Sequence, residues 1–133
     1  MIGQVGHKTD KFSYEISVDD EKCLIFLVVQ GVLNRIEQEK IIIETRSQAA
    51  ETGYNIFCDI TRATITNSMA EWFYLARNKE VYPTFPTEKT AVLIHPDAQK
   101  LYQFVGNVTR NARLNTRIFV KEEEARAWLK KVS

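Results

Sequence analysis

Apolar and polar residues alternate along "FSYEISV" (12–18), with Phe12, Tyr14, Ile16 and Val18 on one side, the period of a strand with one buried face. The acidic stretch Asp19-Asp20-Glu21-Lys22 interrupts it. "CLIFLVV" (23–29) follows as an unbroken apolar run rich in β-branched residues, which predicts a strand covered on both faces and paired with the first as an antiparallel hairpin. The period then becomes helical. Asn34 with Glu37 three residues on is a capping box, Ile36, Ile43 and Ala50 recur on one helical face, and Gly53 ends the element. "YNIFCDI" (54–60) predicts the third strand and 61–68 a turn. Ser68 with Glu71 is a second capping box, opening a helix that runs to about Lys79 with Met69, Trp72, Phe73 and Ala76 as its core-facing stripe. "TAVLIH" (90–95) predicts a fourth strand. Pro96 then opens a third helix, with Ala98, Leu101, Tyr102, Val105 and Val108 at helical spacing. "TRIFV" (116–120) predicts a fifth strand. "KEEEARAWLKK" (121–131) predicts a last helix, with acids in its first turn, lysines in its last, and Trp128 against the sheet.

The order ββαβαβαβα implies right-handed crossovers and an α/β domain with a mostly parallel five-stranded sheet and four helices. A chain of 133 residues makes one domain, 1–133, with residues 1–10 expected as a flexible tail. The predicted sheet core includes Ile25, Leu27, Ile56, Cys58, Val92 and Ile94. Ligands of such sheets bind outside the carboxyl ends of the parallel strands, which here are 59–68 and 94–98.

From "FSYEIS" through "LIFLVVQGVL", "GYNIFCDIT" and "KTAVLI" to "RIFVKEEEARAWL", about residues 12 to 130, the chain resembles the SpoIIAA-like group of STAS/SEC14-type proteins. The strand ending "DIT" and the closing F-V-x-x-E-E-A-x-A-W-L carry the likeness. The resemblance implies a small α/β domain without chemistry of its own. In the anti-sigma-factor antagonist branch such domains bind a partner kinase and are switched by phosphorylation of a hydroxyl at the start of the second helix; other members hold lipids or small ligands. Ser68 and Thr66 are the matching hydroxyls, set in "TNSMAEW" rather than in that branch's D-S-S-G-like sequence, with no aspartate immediately before the hydroxyl and no glycine after it.

Composition narrows the classes further. Hydrophobic residues at 44% and charged residues at 26% suit a globular domain, and no apolar run reaches the roughly 18 to 20 residues that span a bilayer. The N-terminus lacks the basic and apolar segments of a secretory signal, so the expected compartment is cytoplasmic. The net charge of +1 divides into 7 basic and 10 acidic residues over 1–66 and 11 and 7 over 67–133, too even to imply nucleic acid. Cys23 and Cys58 sit in apolar runs without C-x-x-C spacing and read as core residues. His7 and His95 have no partners at metal-ligand spacing, so neither a metal nor a cofactor is expected.

Each candidate site residue has a plain reading beside its functional one. Ser68 and Thr66 lie where a phosphate would meet helix-terminal N–H groups, yet S-x-x-E already explains Ser68 as a cap. Asp59 and Thr61 end the third strand and His95 the fourth, so a carboxylate and an imidazole could share one rim. No nucleophile motif or glycine-rich loop accompanies them, so no catalytic residue is expected. Trp72, Phe73, Tyr74, Tyr82 and Phe85 place five aromatics within fourteen residues. Trp72, Tyr74, Tyr82 and Phe85 are the expected binding surface, presented by the second helix and the 80–87 loop. The expected function is a non-enzymatic binding or regulatory module with a protein partner or a homodimer. A carrier for an apolar small molecule or lipid is the alternative, and a hydrolase-like enzyme using Asp59 and His95 the third.

Overall fold

The computed structural model describes residues 2–8, 11–83 and 87–131, the first of these by backbone. Its elements are β1 (Ile2–Lys8), β2 (Phe12–Asp19), β3 (Leu24–Leu33), α1 (Arg35–Thr52), β4 (Asn55–Ile65), α2 (Met69–Arg77), β5 (Thr90–Leu93), a 3-10 turn (Pro96–Ala98), α3 (Gln99–Asn111), β6 (Thr116–Phe119) and α4 (Glu122–Lys130). The strands lie side by side in chain order. β2 runs antiparallel to both of its neighbours, β1 and β3, and β3 through β6 are parallel. All five expected strands and four helices form in the expected order. Residues 2–8, expected as tail, instead pair with the free edge of β2 from Ile2↔Asp19 to Lys8↔Ser13. "IGQVGHK" has two glycines and no clean alternation, and its backbone pairs along the edge of β2.

Sequential right-handed crossovers place α1, α2 and α3 on one face of the sheet. There Ile25, Leu27, Ile56, Cys58 and Ile94 meet Ile41, Trp72, Leu75, Tyr102 and Val105. α4 covers the other face, where Ala125 and Leu129 pack on Leu24, Phe57, Ala91 and Leu93, and Trp128 is half-buried against Phe119. The buried Lys89 ammonium donates to the Trp128 carbonyl at 3.0 Å and to that of Lys131, satisfying the C-terminal end of α4.

Both capping boxes form with both of their hydrogen bonds, and Gly53 ends α1 at φ 76°. In α3 the expected Tyr102, Val105 and Val108 face inward, whereas the inward side of α1 differs from the expected stripe. In α1 the buried residues are Ile41, Thr45 and Ala49, while Ile36, Ile43 and Ala50 are exposed. Thr45 can be buried because its hydroxyl donates to the Ile41 carbonyl at 2.7 Å, within its own helix. Cys23 is not core: it closes the β2–β3 turn at φ 52°, exposed, with β3 beginning one residue later.

Candidate binding site

β4 is longer than its apolar run. The Asp59 carboxylate accepts from the Thr61 N–H at 2.9 Å and the Thr61 hydroxyl at 2.7 Å. The register against β3 shifts there, from Val28↔Asp59 to Gln30↔Arg62. Past this bulge the strand resumes to Ile65, with Ala63 and Ile65 packed on the core and Arg62 and Thr64 exposed. The expected turn over 61–68 is therefore strand up to Ile65, and only Thr66, Asn67 and Ser68 connect it to α2. Thr66 is tied to the end of β3: its N–H and its hydroxyl both donate to the Leu33 carbonyl, at 3.0 and 3.3 Å.

The exposed Ser68 hydroxyl accepts from the Glu71 N–H at 3.1 Å, and the Glu71 carboxylate accepts from the Ser68 N–H at 3.0 Å. The second bond is the main reason that the Glu71 carboxyl lies below its ordinary range. Ser68→Ala should lower stability by about 1 kcal/mol, while Ser68→Asp, also an N-cap and favourable to the helix dipole, should be nearly neutral in urea denaturation. Equal losses for the two would rule out capping as the reason for this serine.

His95 opens the 3-10 turn. Its exposed imidazole Nδ1 accepts from the Asp97 N–H at 3.1 Å. Among the described residues, no hydrogen bond or ion pair joins His95 to Asp59. Nor does any group of three or more His, Cys, Asp or Glu side chains gather as a metal site, and no helix is long and apolar enough to cross a membrane.

α2 has two aromatic sides. Trp72, Leu75 and Ala76 face inward, and Trp72 meets the Tyr102 ring edge-on at 5.9 Å. Trp72, expected both in the core-facing stripe and on a binding surface, is 5% exposed, so for Trp72 and Ala76 the stripe holds. Met69 and Phe73, expected inward, are 65% and 45% exposed, with Tyr74 at 56%. At 100° per residue, a helix that buries 72, 75 and 76 cannot also bury 73. Guanidinium groups cover the outer rings in part, Arg77 over Phe73 at 4.8 Å and Arg35 over Tyr74 at 4.4 Å. Phe85 lies outside the described residues.

Beneath α2 is a cavity of about 130 Å³, walled by the sheet on one side and by α1, α2 and α3 on the other. Leu27, Ile56, Cys58 and Val92 form its floor and Ile41, Trp72, Leu75 and Val105 its roof. At one end lie Arg46, Tyr82 and Glu88. Arg46 holds this corner together: Nε donates to Glu88 at 2.9 Å, Nη1 donates to the Val81 carbonyl at 2.6 Å, and the guanidinium sits over the Tyr82 ring at 4.8 Å. Tyr82 is therefore half-buried at the cavity edge. No local pattern could reveal Arg46 and Glu88 as partners, since 42 residues separate them.

Burial pushes the Cys58 thiol from its ordinary 9.0 up to about 12 and the Tyr82 phenol from 10.0 up to about 12; the Tyr102 phenol is raised by the same cause. The unfolded chain gives up each of these protons first, so the stabilisation is complete below the unfolded values and is lost as pH rises from about 9 toward 12. Melting temperature should fall through that window, and less steeply near its lower end in Cys58→Val. Identical slopes for the two proteins would show that the thiol contributes nothing.

No curated protein matches this chain. Among solved structures it is similar to the crystal structure of an uncharacterized protein of the DUF3478 family from Shewanella loihica PV-4, described as having a SpoIIAA-like fold. The two share 17% identity over 96% of this chain and 93% of that one, with a TM-score of 0.48. The family model described as domain of unknown function DUF7793 matches residues 16–133, which take in everything from the middle of β2 onward, the cavity included, and the chain belongs to that family.

Proposed function

We propose that this domain is a non-enzymatic binding module that takes a small apolar molecule into the cavity beneath α2. The cavity itself carries the reading. Protein interiors are close-packed, so an apolar space of this size between sheet and helices is room that a small apolar molecule could fill, burying its own surface against the side chains of the wall. The non-enzymatic half of the proposal is supported by how Asp59 and His95 are used, the one bonded to Thr61 and the other to the backbone of Asp97.

Benzene should raise the melting temperature saturably, as expected for a ligand that binds only the folded state. Val105→Phe, which fills the cavity from α3, should remove that response while the protein stays folded. An unchanged benzene response in Val105→Phe would refute the site.

A second reading, a protein partner or homodimer over α2, rests on Met69, Phe73 and Tyr74 being exposed on one helix. Tyr74→Ala should then weaken self-association in sedimentation at unchanged melting temperature, and a monomer in both proteins would set the homodimer aside.

A further inference from the structure

The cavity wall is polar in few places, and the protein itself occupies most of them. Among the described residues, Arg46 and Glu88 are the only charged side chains in the wall, and they pair with each other at 2.9 Å. An ion entering would lose its hydration without gaining a counter-charge. The Thr45 and Thr109 hydroxyls donate to carbonyls of their own helices at 2.7 and 3.0 Å, and the Gln38 oxygen accepts from Asn67 at 2.7 Å. Thr90 and Thr116 are half-buried at the first positions of β5 and β6, and Tyr82 is half-buried at the cavity edge, all three within reach of water. Tyr102 differs from these. It lines the cavity from α3 and is 5% exposed, yet its hydroxyl makes no hydrogen bond within the protein. Its oxygen is not sealed in. Among the described residues, the side-chain atoms with neither a partner nor reachable surface belong to Asn67 and Trp72, so the Tyr102 oxygen keeps surface that a water-sized group can touch. After burial, the charge that raises this phenol is that of the Cys58 thiolate, and Cys58 stands on the cavity floor. The hydroxyl therefore reaches from α3 toward the sheet, over the enclosed space. A phenol O–H is a donor, and a donor buried without an acceptor is costly enough to be rare.

Resting on the cavity reading above, we infer that the occupant is a neutral, ring-sized, mainly apolar molecule carrying one hydrogen-bond acceptor, which the Tyr102 hydroxyl holds. Its size follows from volume, since an engineered apolar cavity of about 150 Å³ accommodates benzene. The acceptor follows from the unbonded Tyr102 hydroxyl, and the absence of charge on the ligand from the Arg46–Glu88 pair.

Benzene and pyridine test this directly, because they have nearly the same shape and pyridine, uncharged at neutral pH, adds a single acceptor. Both should bind the wild-type protein. The ratio of pyridine to benzene affinity should fall about fivefold in Tyr102→Phe, which removes only the hydroxyl and keeps the ring against Trp72. It should stay as in the wild type in Tyr82→Phe, and in Tyr54→Phe, whose hydroxyl donates to Asp20 at 2.9 Å away from the cavity. An unchanged ratio in Tyr102→Phe, or an equal fall in Tyr82→Phe, overturns the assignment of the acceptor to Tyr102 and leaves the cavity as a binding site. Failure of both probes to bind the wild type overturns the cavity reading and this inference together. Should Tyr102→Phe fail to fold, the Cζ resonance of Tyr102 in the wild type, which senses its hydroxyl, decides: pyridine and not benzene should move it, and a like response to both overturns the assignment.

Discussion

Trp72→Ala should lower stability by about 4 kcal/mol, at the upper end of what one truncation does. α2 has only nine residues, fewer than the ~12–15 at which an isolated helix becomes even marginally stable in water. It is held by what it buries, and Trp72 is its largest buried side chain. Removing the indole breaks the edge contact with Tyr102 and adds its volume to a cavity that is already about 130 Å³. Trp72→Phe should cost much less, about 1 to 2 kcal/mol, because it keeps a ring against Tyr102. Urea denaturation followed by circular dichroism measures both. A loss below about 1 kcal/mol for Trp72→Ala would mean that α2 is anchored elsewhere.

Arg46→Ala should cost about 3 kcal/mol, for a different reason. The Arg46 and Glu88 side chains are 17% and 15% exposed, so removing the guanidinium leaves a largely buried carboxylate without its partner. The Val81 carbonyl loses its donor and the Tyr82 ring its cation in the same step. Glu88→Gln in the Arg46→Ala background should restore part of the loss, because an uncharged amide is cheaper to leave at that site. If the two substitutions were simply additive, the ion pair would not be what holds Val81, Tyr82 and Glu88 against α1.

The elements were legible in the sequence where local chemistry determines them. Asn34 with Glu37 and Ser68 with Glu71 mark the helix starts, Gly53 marks an end, and the apolar runs mark β3, β4 and β5. Helix rotation was less legible. Apolar residues lie on more than one side of α1, and the side facing the sheet includes Thr45, whose polarity is hidden by a bond to its own helix. β1 was not legible because backbone pairing with the edge of β2 leaves no pattern in "IGQVGHK", which has two glycines and no clean alternation. The far half of β4 escaped because a side chain, Asp59, takes up the N–H of Thr61 and lets the strand continue after a bulge. The region of the candidate site was readable, since its aromatics cluster in sequence, but their placement was not. Trp72 turns inward and Tyr74 outward, and the cavity between sheet and helices is assembled from residues up to 91 positions apart, from Leu27 to Ile118.

Methyl resonances of the folded protein, recorded as benzene is added, test most directly whether this cavity binds a ligand. Leu27, Ile56, Leu75, Val92 and Val105 line the cavity, whereas Leu24 and Leu93 pack against Leu129 of α4 on the opposite face. Benzene should shift the first group saturably and leave the second in place. Shifts confined to the exposed rings of α2, or spread equally over both faces, would contradict a binding site beneath that helix.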